Sequence, residues 1–138
     1  MKKFFKKTIQ YTLILGGIYS VLVLSFVWWH CYTSPLQGGK NGPLDAYRHT
    51  LASAVVAYTA SPKLVAVITI IMERKGTAAN LMDSHNNTIG AKIGSNTNTF
   101  SVLNQTVTAQ VAHGAVNTPL SNQITWLPNL YWHNNFWW

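Results

Sequence analysis

Acidic residues are nearly missing from this chain: three among 138 residues, against ten Lys and Arg. Charge of either sign is scarce at 9%, where a soluble domain carries roughly a quarter. Part of the 48% hydrophobic content therefore belongs in lipid or in an unusually dry core. Only one cysteine, Cys31, is present, so no internal disulfide holds the fold and packing must do so. With no basic neighbour to activate it, Cys31 is expected to be an unreactive residue near a membrane surface. Repeats and low-complexity tracts are also missing, and the length suits one small domain.

The net charge of +7 is concentrated at one end. Lys2, Lys3, Lys6 and Lys7 supply four of the positive charges, and no basic stripe remains to follow a phosphate backbone. Nucleic acid is therefore excluded as an expected partner. Behind the lysines, Ile9 to Trp29 is an apolar run of 21 residues, which at 1.5 Å each spans about 30 Å, the thickness of the hydrocarbon layer. It ends in FVWWHCYT, with bulky residues where a signal peptidase needs small ones. Trp28, Trp29 and Tyr32 read as an interfacial belt, and the lysines hold the amino terminus in the cytoplasm. The expectation is an uncleaved, single-pass signal anchor over residues 1–30 in a bacterial inner membrane. A Gly- and Pro-rich linker over 31–42 follows, then an extracytoplasmic domain over 43–138.

That domain is expected to be all-α: a small bundle of about four helices and an irregular, aromatic-rich tail. Pro43 suits a first helical position after Asn41 or Gly42, and Leu44, Tyr47, Leu51, Val55 and Tyr58 form one apolar stripe. Ser61-Pro62 starts a second helix, LVAVITIIM, closed by Arg74, Lys75 and Gly76. Each half of Leu51–Met72 is too short to cross a bilayer, so a buried helical hairpin is expected. Thr77 caps a third helix running to about Ile93, before Gly94. A fourth covers Phe100 to His113 with Val102, Leu103, Val107 and Val111 on one side.

Two stretches carry the chemistry, DAYRHTLASA from Asp45 and LMDSHNNTIG from Leu81. At 100° per residue, Asp45, Arg48, His49, Ala52 and Ser53 lie away from the apolar stripe. Ala79, Asp83, Asn86, Asn87 and Gly90 share a face of the third helix. Small residues on both faces allow close approach, which would set the carboxylates against Arg48 and His49. A hairpin would bring Glu73 to the same place, gathering every acidic residue of the chain.

These residues resemble a bacterial domain of unknown function with the pattern D-A-x-R-H, then E, then M-D-x-H-N-N-x-x-G. Here the positions are Asp45-Ala46-Tyr47-Arg48-His49, Glu73, and Met82-Asp83-Ser84-His85-Asn86-Asn87 with Gly90. The resemblance implies a helical unit and supplies no activity. The family often has a second histidine before the glutamate, where this chain has Met72, which weakens the case for a shared metal.

As an enzyme, the chain would be a hydrolase of envelope lipid or peptidoglycan. His49 would act as general base oriented by Asp45, with Arg48 and the Asn86-Asn87 pair binding an anionic or amide-bearing group. Glu73 and Asp83 could instead form the acid and base for a glycosidic bond. His85 joins the catalytic candidates, although the wheel puts it on the apolar side, where a hydrogen-bonded core histidine is the ordinary explanation. No G-x-S-x-G motif is present, so Ser53 and Ser84 are only nominal nucleophiles. Asp45, His49, Asp83 and His85 are admissible ligand types, but without H-E-x-x-H or a cysteine pair neither a metal nor another cofactor is expected. The alternative is a non-catalytic binding or scaffold module whose polar residues are a seam between helices. Its tail (Trp126, Tyr131, Trp132, Phe136, Trp137 and Trp138) would lie in the membrane interface, stack on sugars or cap the bundle. Expected partners are membrane lipid, with peptidoglycan or another envelope protein as further candidates.

Overall fold

The structure is a computed structural model that describes residues 2–118 and 122–134. Among them are five α-helices and two strands of two residues each, an all-α architecture with a long apolar helix at its start. Helix α1 (Lys2–Tyr32) contains a stretch, Lys6–Tyr32, long and apolar enough to cross a membrane. Only its later part meets the domain: Val27 and Cys31 are buried in the core, with Val23 and Phe26 against them. Cys31 is thus a core residue, in keeping with an unreactive side chain.

Helix α2 (Pro43–Thr59) is the hub, packing against α1, α3 (Pro62–Met72), α4 (Ala78–Ser95) and α5 (Phe100–Ala112). Three start signals act as read, Gly42 as the N-cap with Pro43 in the first turn and Ser61 and Thr77 each accepting a backbone N–H at the starts of α3 and α4; Thr99, not among them, does the same for α5. Leu51, Leu103, Val107 and Ile124 form the centre of the core.

Three expectations need correction. Helix α3 is not buried: only Val65 and Thr69 are, while Ile70 and Ile71 are 72% and 59% exposed. It is apolar on all sides, so periodicity could not say how much of it would be covered. Val102 is 49% exposed, leaving Leu103, Val107 and Val111 as the inward row. Gly94 does not end the third helix, which runs on to Ser95. A Cβ on Gly90 or Gly94 would collide with the carbonyl oxygen of Thr50 or Ala54, so both glycines serve the close approach of α4 to α2.

The chain after α5 wraps back over the start of α2. Strands β1 (Ala115–Val116) and β2 (Thr125–Trp126) pair in parallel. Farther on, Lys40 and His133 exchange backbone hydrogen bonds of 3.0 and 3.1 Å. The Trp132 ring lies on Gly38 and Gly42, and its Nε1 donates to Leu127 O at 2.6 Å. Trp126 packs against the core. These tail aromatics therefore cap the bundle; Phe136, Trp137 and Trp138 lie outside the described residues.

Candidate functional site

The linker delivers Asp45 to its place. Positive φ at Gly38 (72°) and Asn41 (65°) turns the chain so that Leu44 N and Asp45 N donate to Gln37 O and Gly38 O at 2.9 and 3.2 Å. In the first turn of α2, where the helix dipole favours an anion, Asp45 Oδ2 accepts from Asn41 N and Oδ1 accepts from Arg48 Nη2. Arg48 Nη1 donates to Gly39 O at 3.1 Å, and its guanidinium lies 5.5 Å from the ring centre of Trp28. Arg48 thus joins α1, the linker and Asp45, leaving few donors for a ligand.

One turn later, His49 Nε2 stands 3.5 Å from Asp45 Oδ1 and 3.6 Å from Asp83 Oδ1 on α4. Asn87, a turn beyond Asp83, accepts from Ser53 Oγ at 2.8 Å. Burial holds the imidazole below its ordinary pKa, against the pull of Asp45. Burial also pushes the Asp83 carboxyl up to about 8, helped by the negative charges of Asp45 and Glu73. At neutral pH the centre therefore holds a neutral imidazole and a protonated Asp83 carboxyl beside the Asp45–Arg48 ion pair. Asp83 Oδ1 is buried without a hydrogen-bond partner among the described residues.

A cavity of about 210 Å³ opens at this centre, between α1, α2 and α3. Arg48, His49, Ser53, Glu73 and Asn87 supply its polar groups. Glu73, the C-cap of α3, accepts from Asn80 Nδ2 at 2.7 Å. Most of the remaining wall is apolar, and part of it, Leu24, Val27 and Trp28, belongs to α1.

Of the candidates named from sequence, Asp45, Arg48, His49, Glu73, Asp83 and Asn87 come together. His85 and Asn86 do not. His85 Nε2 lies 2.8 Å from Gln123 O. Asn86, 0% exposed, donates to Thr125 O at 2.8 Å and accepts from Thr125 N at 3.1 Å, holding β2 to α4. Sequence reasoning missed the α1 wall, whose residues carry no motif. Ser53, read from sequence on the face of His49 and as a nominal nucleophile, lines the cavity and donates to Asn87.

Ligand-type atoms of Asp45, His49 and Asp83 lie within 4.8 Å of one another, close enough to hold a metal ion. Against a cation stands Arg48, whose positive charge is bonded to the Asp45 oxygen facing His49. No family model, curated protein or solved structure matches this chain, so geometry and electrostatics carry the functional reading.

Proposed function

We propose that this chain is a single-pass protein of the bacterial inner membrane, with its amino terminus in the cytoplasm and its helical domain outside, and that it is an acid–base hydrolase of the cell envelope, with lipid or peptidoglycan as substrate. One observation carries the reading: the His49 imidazole is held between a carboxylate, Asp45, and a protonated carboxyl, Asp83, at the polar end of a cavity. A buried carboxyl whose pKa is raised toward neutrality, beside a histidine at a cavity, is a mark of acid–base chemistry.

In this scheme His49 takes a proton from water as the water oxygen bonds to the electrophilic carbon. Asp45 stabilises the imidazolium, which then gives its proton to the leaving oxygen as the bond from that oxygen to carbon breaks, while Asp83, 3.6 Å from the ring and outside the cavity wall, keeps a neutral carboxyl beside it. Arg48 fixes Asp45, and Ser53, bonded to Asn87, lines the cavity wall with His49.

The test incubates the full-length protein in vesicles with bacterial membrane lipid and with peptidoglycan, reading products by mass spectrometry. Wild type should release product, and His49→Ala should lose about 10²- to 10⁴-fold in rate, the usual contribution of a general acid or base. The binding or scaffold reading draws on the bonds that commit Asp45 to Arg48 and Asn41. Asp45→Asn separates the two: a scaffold keeps its function with a modest loss of stability, whereas a catalyst stays folded and loses activity. No product from either substrate would favour the scaffold.

A further inference from the structure

We infer that the ligand of this centre is a membrane lipid of the outer leaflet, taken in sideways between α1 and α3 with part of an acyl chain in the cavity. The fate of that lipid rests on the hydrolase reading, and its position rests on α1 spanning the bilayer. The cavity has the form of an amphiphile's complement. At one end stand Arg48, His49, Glu73 and Asn87; the remaining wall is mainly apolar, with Val27, Val56, Val65 and Ile68 among its residues. At about 210 Å³ it is smaller than the roughly 300–1,000 Å³ that encloses a whole drug-sized ligand. It therefore suits one portion of a longer molecule whose remainder stays outside.

The outside is set by two contacts that register α2 against α1. Arg48 lies over Trp28 near the outer end of α1, and Tyr19 Oη is 2.7 Å from Thr59 Oγ1. Going from Arg48 to Thr59 on α2 thus corresponds to going back from Trp28 to Tyr19 on α1, so the helices run antiparallel. With Trp28 and Trp29 at the membrane interface, His49 sits near the headgroup boundary, and the end of α2 and the start of α3 sit beside the outer half of the span, so that this corner of the otherwise external domain dips into the outer leaflet. The ester bonds of a glycerolipid lie at that same boundary, and its chains run along α1 from there.

Helix α3 has the surface this position demands. Val67, Ile70 and Ile71 face outward, a patch that water would disfavour and that sits beside the exposed apolar face of α1. Both α1 and α3 pack on α2, with no comparable packing between them, and the cavity between the two is bordered by the partly exposed Leu24, Ile68 and Met72. Lys63 is the one charge between Thr50 and Met72. It stands exposed near the α2–α3 turn, where snorkelling and local thinning of the bilayer must accommodate it. Peptidoglycan, a hydrated polar polymer, would leave the apolar wall unfilled.

The full-length protein in vesicles of phosphatidylethanolamine and phosphatidylglycerol, doped with a lipid bearing a diazirine in one acyl chain, tests this by photocrosslinking and peptide mapping. Adducts are expected at Val65, which is 4% exposed and reached only through the cavity, as well as at the outward Leu15 of α1. Val56→Phe should abolish the Val65 adduct and spare that at Leu15. Ile68→Trp, at a partly exposed position that tolerates bulk, repeats the test if Val56→Phe fails to fold. Adducts at Leu15 without Val65 would overturn the inference, as would chain-to-chain crosslinks through α3 in place of lipid. Hydrolysis without a Val65 adduct would sink this inference and keep the hydrolase; a Val65 adduct with no lipid or peptidoglycan turnover would do the reverse. Loss of the Leu15 adduct would remove the membrane span on which the position rests.

Discussion

His49 Nε2 on α2 lies 3.6 Å from Asp83 Oδ1 on α4, and the two groups meet as a neutral imidazole and a protonated carboxyl. Burial disfavours charge on both, and Asp45, paired with Arg48, is the anion beside them.

This pairing gives stability a particular pH dependence. Asp83 holds its proton to about pH 8 when folded and to about 3.8 when unfolded. Its contribution is full below the lower value and declines as pH rises toward the upper. His49 acts in the opposite direction, costing stability as pH falls below 6.5. Between pH 6.5 and 8 the Asp83 effect should lower stability. Denaturation of wild type and Asp83→Asn across that window should show the decline in wild type and its loss in the variant.

The two residues should also be coupled. A double-mutant cycle with His49→Ala and Asp83→Ala should give an interaction of roughly 0.5–3 kcal/mol in stability. Additivity within error would deny that the contact matters.

Close approach of α4 to α2 predicts a contrast among glycines. Gly90→Ala and Gly94→Ala each drive a methyl into backbone of α2, which cannot rotate away. The loss should match or exceed the roughly 1–3 kcal/mol of ordinary overpacking. Nothing lies near Gly16 or Gly17, so Gly16→Ala should leave unfolding midpoints unchanged.

Asn86 predicts a structural loss. Asn86→Ala leaves Thr125 N and O unpaired in a buried setting, at about 1–3 kcal/mol for each. Hydrogen exchange should then quicken at Thr125 while the His49 centre keeps its titration. An unchanged rate at Thr125 would refute the clamp.

Arg48 leads to a prediction about metal. With its guanidinium on Asp45, the Asp45, His49 and Asp83 atoms should bind a divalent cation weakly. Calorimetric titration with zinc is expected to show no tight site, and a chelator should leave turnover intact. Tight binding abolished by Asp83→Asn would replace the acid–base scheme with a metal-based one.

The sequence by itself determined the helices and marked the first as long and apolar enough to cross a membrane, because these signals are local. Pro43, Ser61-Pro62 and Thr77 act within one turn of backbone, and the length and apolarity of α1 are read directly from its residues. The Asp45–His49 spacing and the small residues of α4 likewise announced a polar face that could meet another. Tertiary structure decided what each face would meet. Periodicity could not separate His85 and Asn86 from Asp83 and Asn87, since Gln123 and Thr125 approach from nearly forty residues away. Nor could it show that α1 would wall the cavity, that α3 would remain uncovered, or that Gly94 would serve a contact instead of a helix end. Burial and the field of neighbouring charges set the protonation of His49 and Asp83, and both depend on chain segments that are close only after folding.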